Sequence, residues 1–222
     1  MQQQANVSIQ IVTDDQLEDN QPCVTYLDFK TETRIDSAAM QMRSRDAWRC
    51  AYHEAMHVMG VRGHPSGDSV LSYFPKRVDE LSTLDKVMLR AWYSPHMAAG
   101  MTPFEALPVL ADELVATMPD RALAIQERDR FLATTVQKML AYANGQGDIP
   151  AIVRRSGKST AEGIRYGRAE MSYFLGIAYL EGATVPKDAG IAVQWLQRAA
   201  TMGNRGAQAK LGAFRAANGP AR

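Results

Sequence analysis

Three histidines and a glutamate lie within twelve residues of one another: His53, Glu54, His57 and His64. In His53-Glu54-Ala55-Met56-His57 the two histidines are four apart, so on a helix both project from one face and can share a metal ion. Zinc takes imidazole nitrogen at about 2.0–2.1 Å in a tetrahedral set, and a catalytic site uses three protein ligands and keeps the fourth position for water. Such a water has its pKa lowered towards about 7, which lets a neighbouring carboxylate act as general base near neutral pH. Glu54 is the expected base. Gly60 follows His57 by three residues, where glycine readily takes the left-handed conformation that ends a helix and turns the chain back. His64 lies just beyond that break and is the expected third ligand. Asp68 is the rival oxygen donor, farther along the chain.

These side chains need a scaffold. Residues 6–13 alternate apolar and polar with β-branched content and predict a strand. Residues 24–29 and 38–43 are two further strand candidates, and either could form a sheet edge along which a peptide lies. Ser44 or Asp46 can cap a helix that begins near Ala47, carries His53 and His57, and stops at Gly60. Residues 61–77, rich in Gly, Pro and Ser, predict an ordered loop. Ser82-Thr83-Leu84-Asp85 opens a helix through Tyr93 by a capping box, Ser94-Pro95 closes it, and residues 100–108 read as a connector.

The extended string, His53-Glu54-x-x-His57-x-x-Gly60-x-x-Gly63-His64, resembles the metzincin clan of zinc peptidases. It departs from the clan at one point: the usual third ligand falls at the position of Gly63, one residue before His64. Downstream, Ser69-Val70-Leu71-Ser72-Tyr73 resembles the turn beneath the metal, with Leu71 where methionine is usual. The resemblance gives Tyr73 a place near the zinc, where it can assist catalysis; the alternative is a core tyrosine. Residues 81–93 resemble the last helix of that core, and the likeness spans about 6–105. Within the clan the chain is similar to an uncharacterised family of exported bacterial proteins, many of which lack the zinc histidines. That likeness rests on Cys23 on a strand, on Cys50 just before the His53–His57 motif, and on the run from Leu89 to Met101. It implies a Cys23–Cys50 bridge and a periplasmic or secreted location. By number alone, two cysteines fit either a bridge or two buried thiols, the thiols being the more frequent outcome. Metzincin cores usually carry more chain ahead of the zinc helix, so the expectation is a minimal or N-terminally truncated core.

From about residue 106 the composition turns to alanine and leucine, with helices punctuated by glycine. Leu175-Gly176 and Leu211-Gly212 stand 36 residues apart. Between them lie Ala178-Tyr179, Gly182, Val185-Pro186-Lys187-Asp188, Trp195 and Ala199-Ala200. This resembles the Sel1-like repeat, a relative of the tetratricopeptide helix pair, over 169–212, and Tyr142-x-x-Gly145 echoes Tyr179-x-x-Gly182. Such repeats imply a protein partner; the plainer reading is a short stack capping the first domain.

The expected fold is therefore α+β: a metzincin-like mixed sheet with a zinc-binding active-site helix at 1–105, then an all-α helical-repeat tail at 106–222. Over 222 residues, a net charge of +1 without one-sign runs argues for neither nucleic acid nor an anionic membrane. No run of about eighteen apolar residues predicts a membrane span. His96 reads as a solvated histidine, Asp79, Glu80 and Asp85 as loop and cap carboxylates, and Met40, Met42, Met56, Met59 and Met88 as packing. No serine-nucleophile motif or phosphate-binding glycine loop is present. Two functions follow as expectations. One is a zinc endopeptidase acting on a protein or peptide substrate, with Glu54 as base. The other is a non-catalytic zinc-containing binding module with an interaction tail.

Overall fold

A computed structural model describes residues 6–17, 21–31, 34–61, 63–65, 67–72, 80–116, 118–147 and 158–218. The chain divides into two compact units, 1–100 and 101–222. Tyr73 and Asp79 lie outside the described residues.

The first unit is built on a three-stranded sheet: β1 (Val7–Val12), β2 (Cys23–Thr31) and β3 (Arg34–Arg43), in the order β1-β3-β2. β3 is the central strand because both of its backbone edges are paired, and along one face of its pleat Ala38, Met40 and Met42 alternate into the core. β1 runs parallel to it with Ile9 opposite Met40, and β2 runs antiparallel with Thr25 opposite Met40. Of the two candidate edge strands, then, β2 is at the edge and β3 is not. All three strands fall where the sequence offers strand candidates, though β3 begins four residues earlier. β1 packs less than its pattern predicts: Ile9 remains 64% exposed.

Helix α1 (Ala47–Val58) lies on β2 and β3 through Cys50, Met40 and Met42, with Cys23, Ala47 and Val58 closing the cluster. Asp46 occupies the N-cap position but makes no side-chain cap bond; its carboxylate pairs with Arg49 and Arg45 instead. The C-terminus closes as predicted. Gly60 has φ +88°, its N–H reaches the His57 carbonyl at 2.9 Å, and the Val61 N–H reaches the Met56 carbonyl at 3.1 Å, a Schellman turn. Helix α2 (Thr83–Trp92) starts at a Ser82/Asp85 capping box and lays Met88 and Leu89 against Met56, Val70 and Leu71.

The second unit is helical: α3 (Pro103–Val115), α4 (Arg121–Ala143), α5 (Lys158–Glu181), α6 (Ala189–Thr201) and α7 (Arg205–Asn218). The expected connector at 100–108 is overturned from residue 103 onward. Thr102 and Glu105 form a capping box with Pro103 at the first helical position, where its missing N–H costs nothing. Pro108 then sits inside the helix and cannot donate to the Phe104 carbonyl one turn back. The Thr184 hydroxyl supplies that bond at 2.5 Å, and Thr184 adopts φ +65° at that turn. Gly176 is required by packing: a Cβ there would lie 2.7 Å from Leu196 Cγ, so α5 and α6 can approach only without one.

Candidate metal centre

α1 places His53 and His57 one turn apart, and the Schellman turn brings the following loop back so that His64 meets them. The three ring centroids are 4.9, 5.1 and 5.0 Å apart. One ligand atom from each ring lies within 4.8 Å of the other two, and all three side chains are half-buried.

The orientation of the rings is fixed from behind. His53 Nδ1 lies 2.8 Å from the Val70 carbonyl, and His57 Nδ1 lies 2.8 Å from the Val61 carbonyl. A carbonyl only accepts, so each Nδ1 carries the proton and donates it. In a neutral imidazole that leaves the Nε2 lone pair facing inward. His53 Nε2 and His64 Nε2 face one another at 3.2 Å. Two nitrogens bound to one tetrahedral zinc at 2.0–2.1 Å would stand about 3.4 Å apart, so the spacing suits a shared zinc. The donor set also suits it, since neutral imidazole is a preferred zinc ligand.

Burial helps keep the rings neutral. It pushes the His64 pKa down to about 4, with the nearby His53 and His57 adding to the effect. It lowers His53 as well, against the opposing pull of the Val70 carbonyl and the Glu54 charge.

Glu54 is 2% exposed and points from α1 towards β2, where Thr25 Oγ1 donates to its Oε2 at 2.5 Å. Leu71 is fully buried and packs with Met56 and Val70 in an apolar cluster that adjoins His53 through the Val70 carbonyl. The turn at 69–72 is held by Asp85, itself fully buried. The Ser69 hydroxyl donates to Asp85 Oδ1 at 2.6 Å, and the Val70 N–H donates to Oδ2 at 3.1 Å. The Ser82 N–H and hydroxyl donate to the same Oδ2 at 2.9 and 2.8 Å. Asp85 is linked to the histidine cluster through one residue: it accepts from the Val70 N–H, and the Val70 carbonyl lies against His53 Nδ1.

The structure therefore brings His53, His57 and His64 together and leaves out Asp68, which is exposed and outside the cluster. His96 is exposed and also outside it. Thr25 and Asp85 are the two site residues that the sequence reading missed. Asp85 was legible as a cap, but its bonds to Ser69 and Val70 carry no signature in spacing. Thr25 becomes legible only once Cys23 and Cys50 are paired, because that pairing sets it opposite Glu54. The pair is a disulfide, a feature consistent with an oxidising compartment.

In the second unit, α5 and α6 pack through Leu196 and Ala199 with Tyr173 and Leu180, and Gly182 and Gly203 take positive φ at the two helix ends. Comparison with protein families matches one segment of the chain. Residues 169–204 are a Sel1 repeat. The Sel1 segment covers the C-terminal half of α5, the 182–188 turn and all of α6, ending eight residues short of the span expected from sequence. Gly145, in the earlier echo, shares the positive φ of Gly182 but lies outside the matched Sel1 segment. Sel1 repeats commonly mediate protein interactions. No metzincin or other peptidase family is detected. No curated protein and no solved structure matches the chain. Among the described residues, no helix is long and apolar enough to cross a membrane.

Proposed function

We propose that this chain is a zinc-dependent metallopeptidase, with His53, His57 and His64 as ligands and Glu54 as general base. The observation that carries the reading is the pair of fixed tautomers. Val70 and Val61 turn the Nε2 atoms of His53 and His57 inward, towards the point that His64 also faces. Zinc bound there supplies Lewis acidity to a water and to the scissile carbonyl. Glu54, adjacent to the first ligand, takes the proton of the attacking water and returns it to the leaving amine. The apolar cluster of Met56, Val70 and Leu71, which adjoins His53 through Val70, keeps the local dielectric low and strengthens electrostatic contacts there. β2, at the sheet edge beside α1, can accept an extended peptide as an added strand. The disulfide supports a periplasmic or secreted location in a bacterium.

The test is direct. The purified chain should carry about one zinc, the stoichiometry of a single three-histidine site. Glu54→Ala should retain the metal and lose peptide cleavage, and cleavage retained in that variant refutes the assigned base.

The Sel1 repeat favours a second reading, a binding module in which zinc is structural and the helical unit recruits a protein partner. Metal spectroscopy separates the two. Four protein ligands with no exchangeable position support the binding module, and three with an exchangeable one support the peptidase.

A further inference from the structure

Helix α1 and strand β2 are joined at two points. Cys50 is bonded to Cys23, with a Cα–Cα distance of 6.0 Å, and Thr25 Oγ1 donates to Glu54 Oε2 at 2.5 Å. The spacings match. Residues 23 and 25 share one face of the strand and lie about 6.7 Å apart along it. Residues 50 and 54 share one stripe of the helix and lie about 6 Å apart along its axis. Two cross-links of equal rise, in the same order, fix helix against strand in register, where a single link would leave a pivot.

The second link is chemically distinctive. A carboxylate only 2% exposed needs hydrogen-bond partners to remain charged. The partner here is an uncharged hydroxyl on an edge strand, which also lies 3.5 Å from the Glu54 carbonyl. A hydroxyl has one proton to give, and the shorter contact takes it to the carboxylate. With Oε2 engaged by Thr25, Oε1 is, among the described residues, the oxygen left to serve a water.

We propose that Thr25 is the positioning residue of Glu54, aiming its carboxylate from the edge strand, with the Cys23–Cys50 disulfide keeping strand and helix in the register that makes this possible. The proposal rests on the reading of Glu54 as general base. It also gives β2 two tasks: the strand positioned to receive a peptide is the strand that orients the base acting on it.

The test uses the full-length, zinc-loaded chain and the variants Thr25→Val, Thr25→Ser and Glu54→Gln. Valine keeps the shape of threonine and removes the donor; serine keeps the donor. Zinc stoichiometry, kcat and KM on a fluorogenic peptide that the wild type cleaves, and acetohydroxamate affinity by calorimetry are read in each. Hydroxamate binding needs no turnover, so it reports the placement of the carboxylate independently of activity. Thr25→Val is expected to keep one zinc and a KM within about twofold, while kcat falls about 10- to 100-fold and acetohydroxamate binds about tenfold more weakly. Thr25→Ser should recover both to within about threefold of wild type. Wild-type kcat and hydroxamate affinity in Thr25→Val, with both lost in Glu54→Gln, overturn this proposal and leave the base assignment standing. A serine variant as impaired as valine also overturns it, because the loss is then one of packing. Wild-type behaviour in Glu54→Gln overturns the base assignment itself, and the positioning role with it.

Discussion

Asp85 offers the sharpest measure of how the scaffold supports the histidines. It is fully buried, and its carboxylate accepts from Ser69, from the Val70 N–H and twice from Ser82. Replacing it with alanine removes both oxygens and so takes the acceptor from all four donors. Ser82 is partly exposed and can turn to water, so its loss is that of a helix cap, about 1 kcal/mol. Ser69 and Val70 are buried, and each donor stranded there costs about 1–3 kcal/mol. Part of this is regained because a buried charge is removed. The expected net loss is about 2–4 kcal/mol, a large share of the roughly 5–15 kcal/mol that holds a domain folded. The second consequence concerns the metal. Once the Val70 peptide is released, its carbonyl no longer fixes the His53 tautomer, and loss of such an outer partner typically costs about 10- to 100-fold in metal affinity. Urea unfolding followed by tryptophan fluorescence reads the first effect, with Trp48 and Trp92 reporting on this unit. Zinc competition against a chromophoric chelator reads the second. If Asp85→Ala unfolds at the wild-type midpoint and binds zinc within twofold of wild type, the chain of support from Asp85 through Val70 to His53 is refuted.

Two further outcomes follow from other parts of the molecule. Thr184→Val removes the hydroxyl that serves the Phe104 carbonyl left open by Pro108, and should destabilise the helical unit by about 1–2 kcal/mol in thermal or urea unfolding; an unchanged midpoint would show that water satisfies the carbonyl equally well. His64 and His53 are depressed in the folded state, so between about pH 6.5 and about pH 4 the unfolded chain binds more protons than the folded one. The stability of the metal-free protein should therefore rise with pH across that window, and His64→Asn should flatten the rise; a profile that falls with pH there contradicts the depressed values.

The sequence reading reached furthest where chemistry and local geometry coincide. The i, i+4 histidines and the Gly60 stop follow from how a helix presents side chains and how it ends, and His64 rather than Asp68 lies with those histidines. The strands were legible because Met40 and Met42 alternate inward. What escaped was either non-local or decided by packing. Pro108 reads as a helix breaker until a threonine 76 residues away supplies the missing bond. Which strand lies at the edge depends on sheet order, and alternation is silent on that. Asp85 looks like an ordinary cap because its capping role is real, and its second set of donors comes from a turn fifteen residues earlier.

The way the rings are oriented also bears on what the centre can do. His53 and His57 donate their Nδ1 protons to backbone carbonyls, which carry only partial negative charge. A carboxylate in either place would raise the basicity of the ring and soften the charge of a bound cation. Three neutral nitrogens leave a divalent ion its full charge, the condition under which a water beside it is most acidic. Among the described residues the cluster comprises three ligands, whereas structural zinc sites almost always close with four. Glu54, adjacent to His53, has one oxygen held by Thr25. On the proposed reading a three-nitrogen set beside a restrained carboxylate serves hydrolysis, and exchange of a coordinated water, measured on the cobalt-substituted protein, is the observation on which that reading turns.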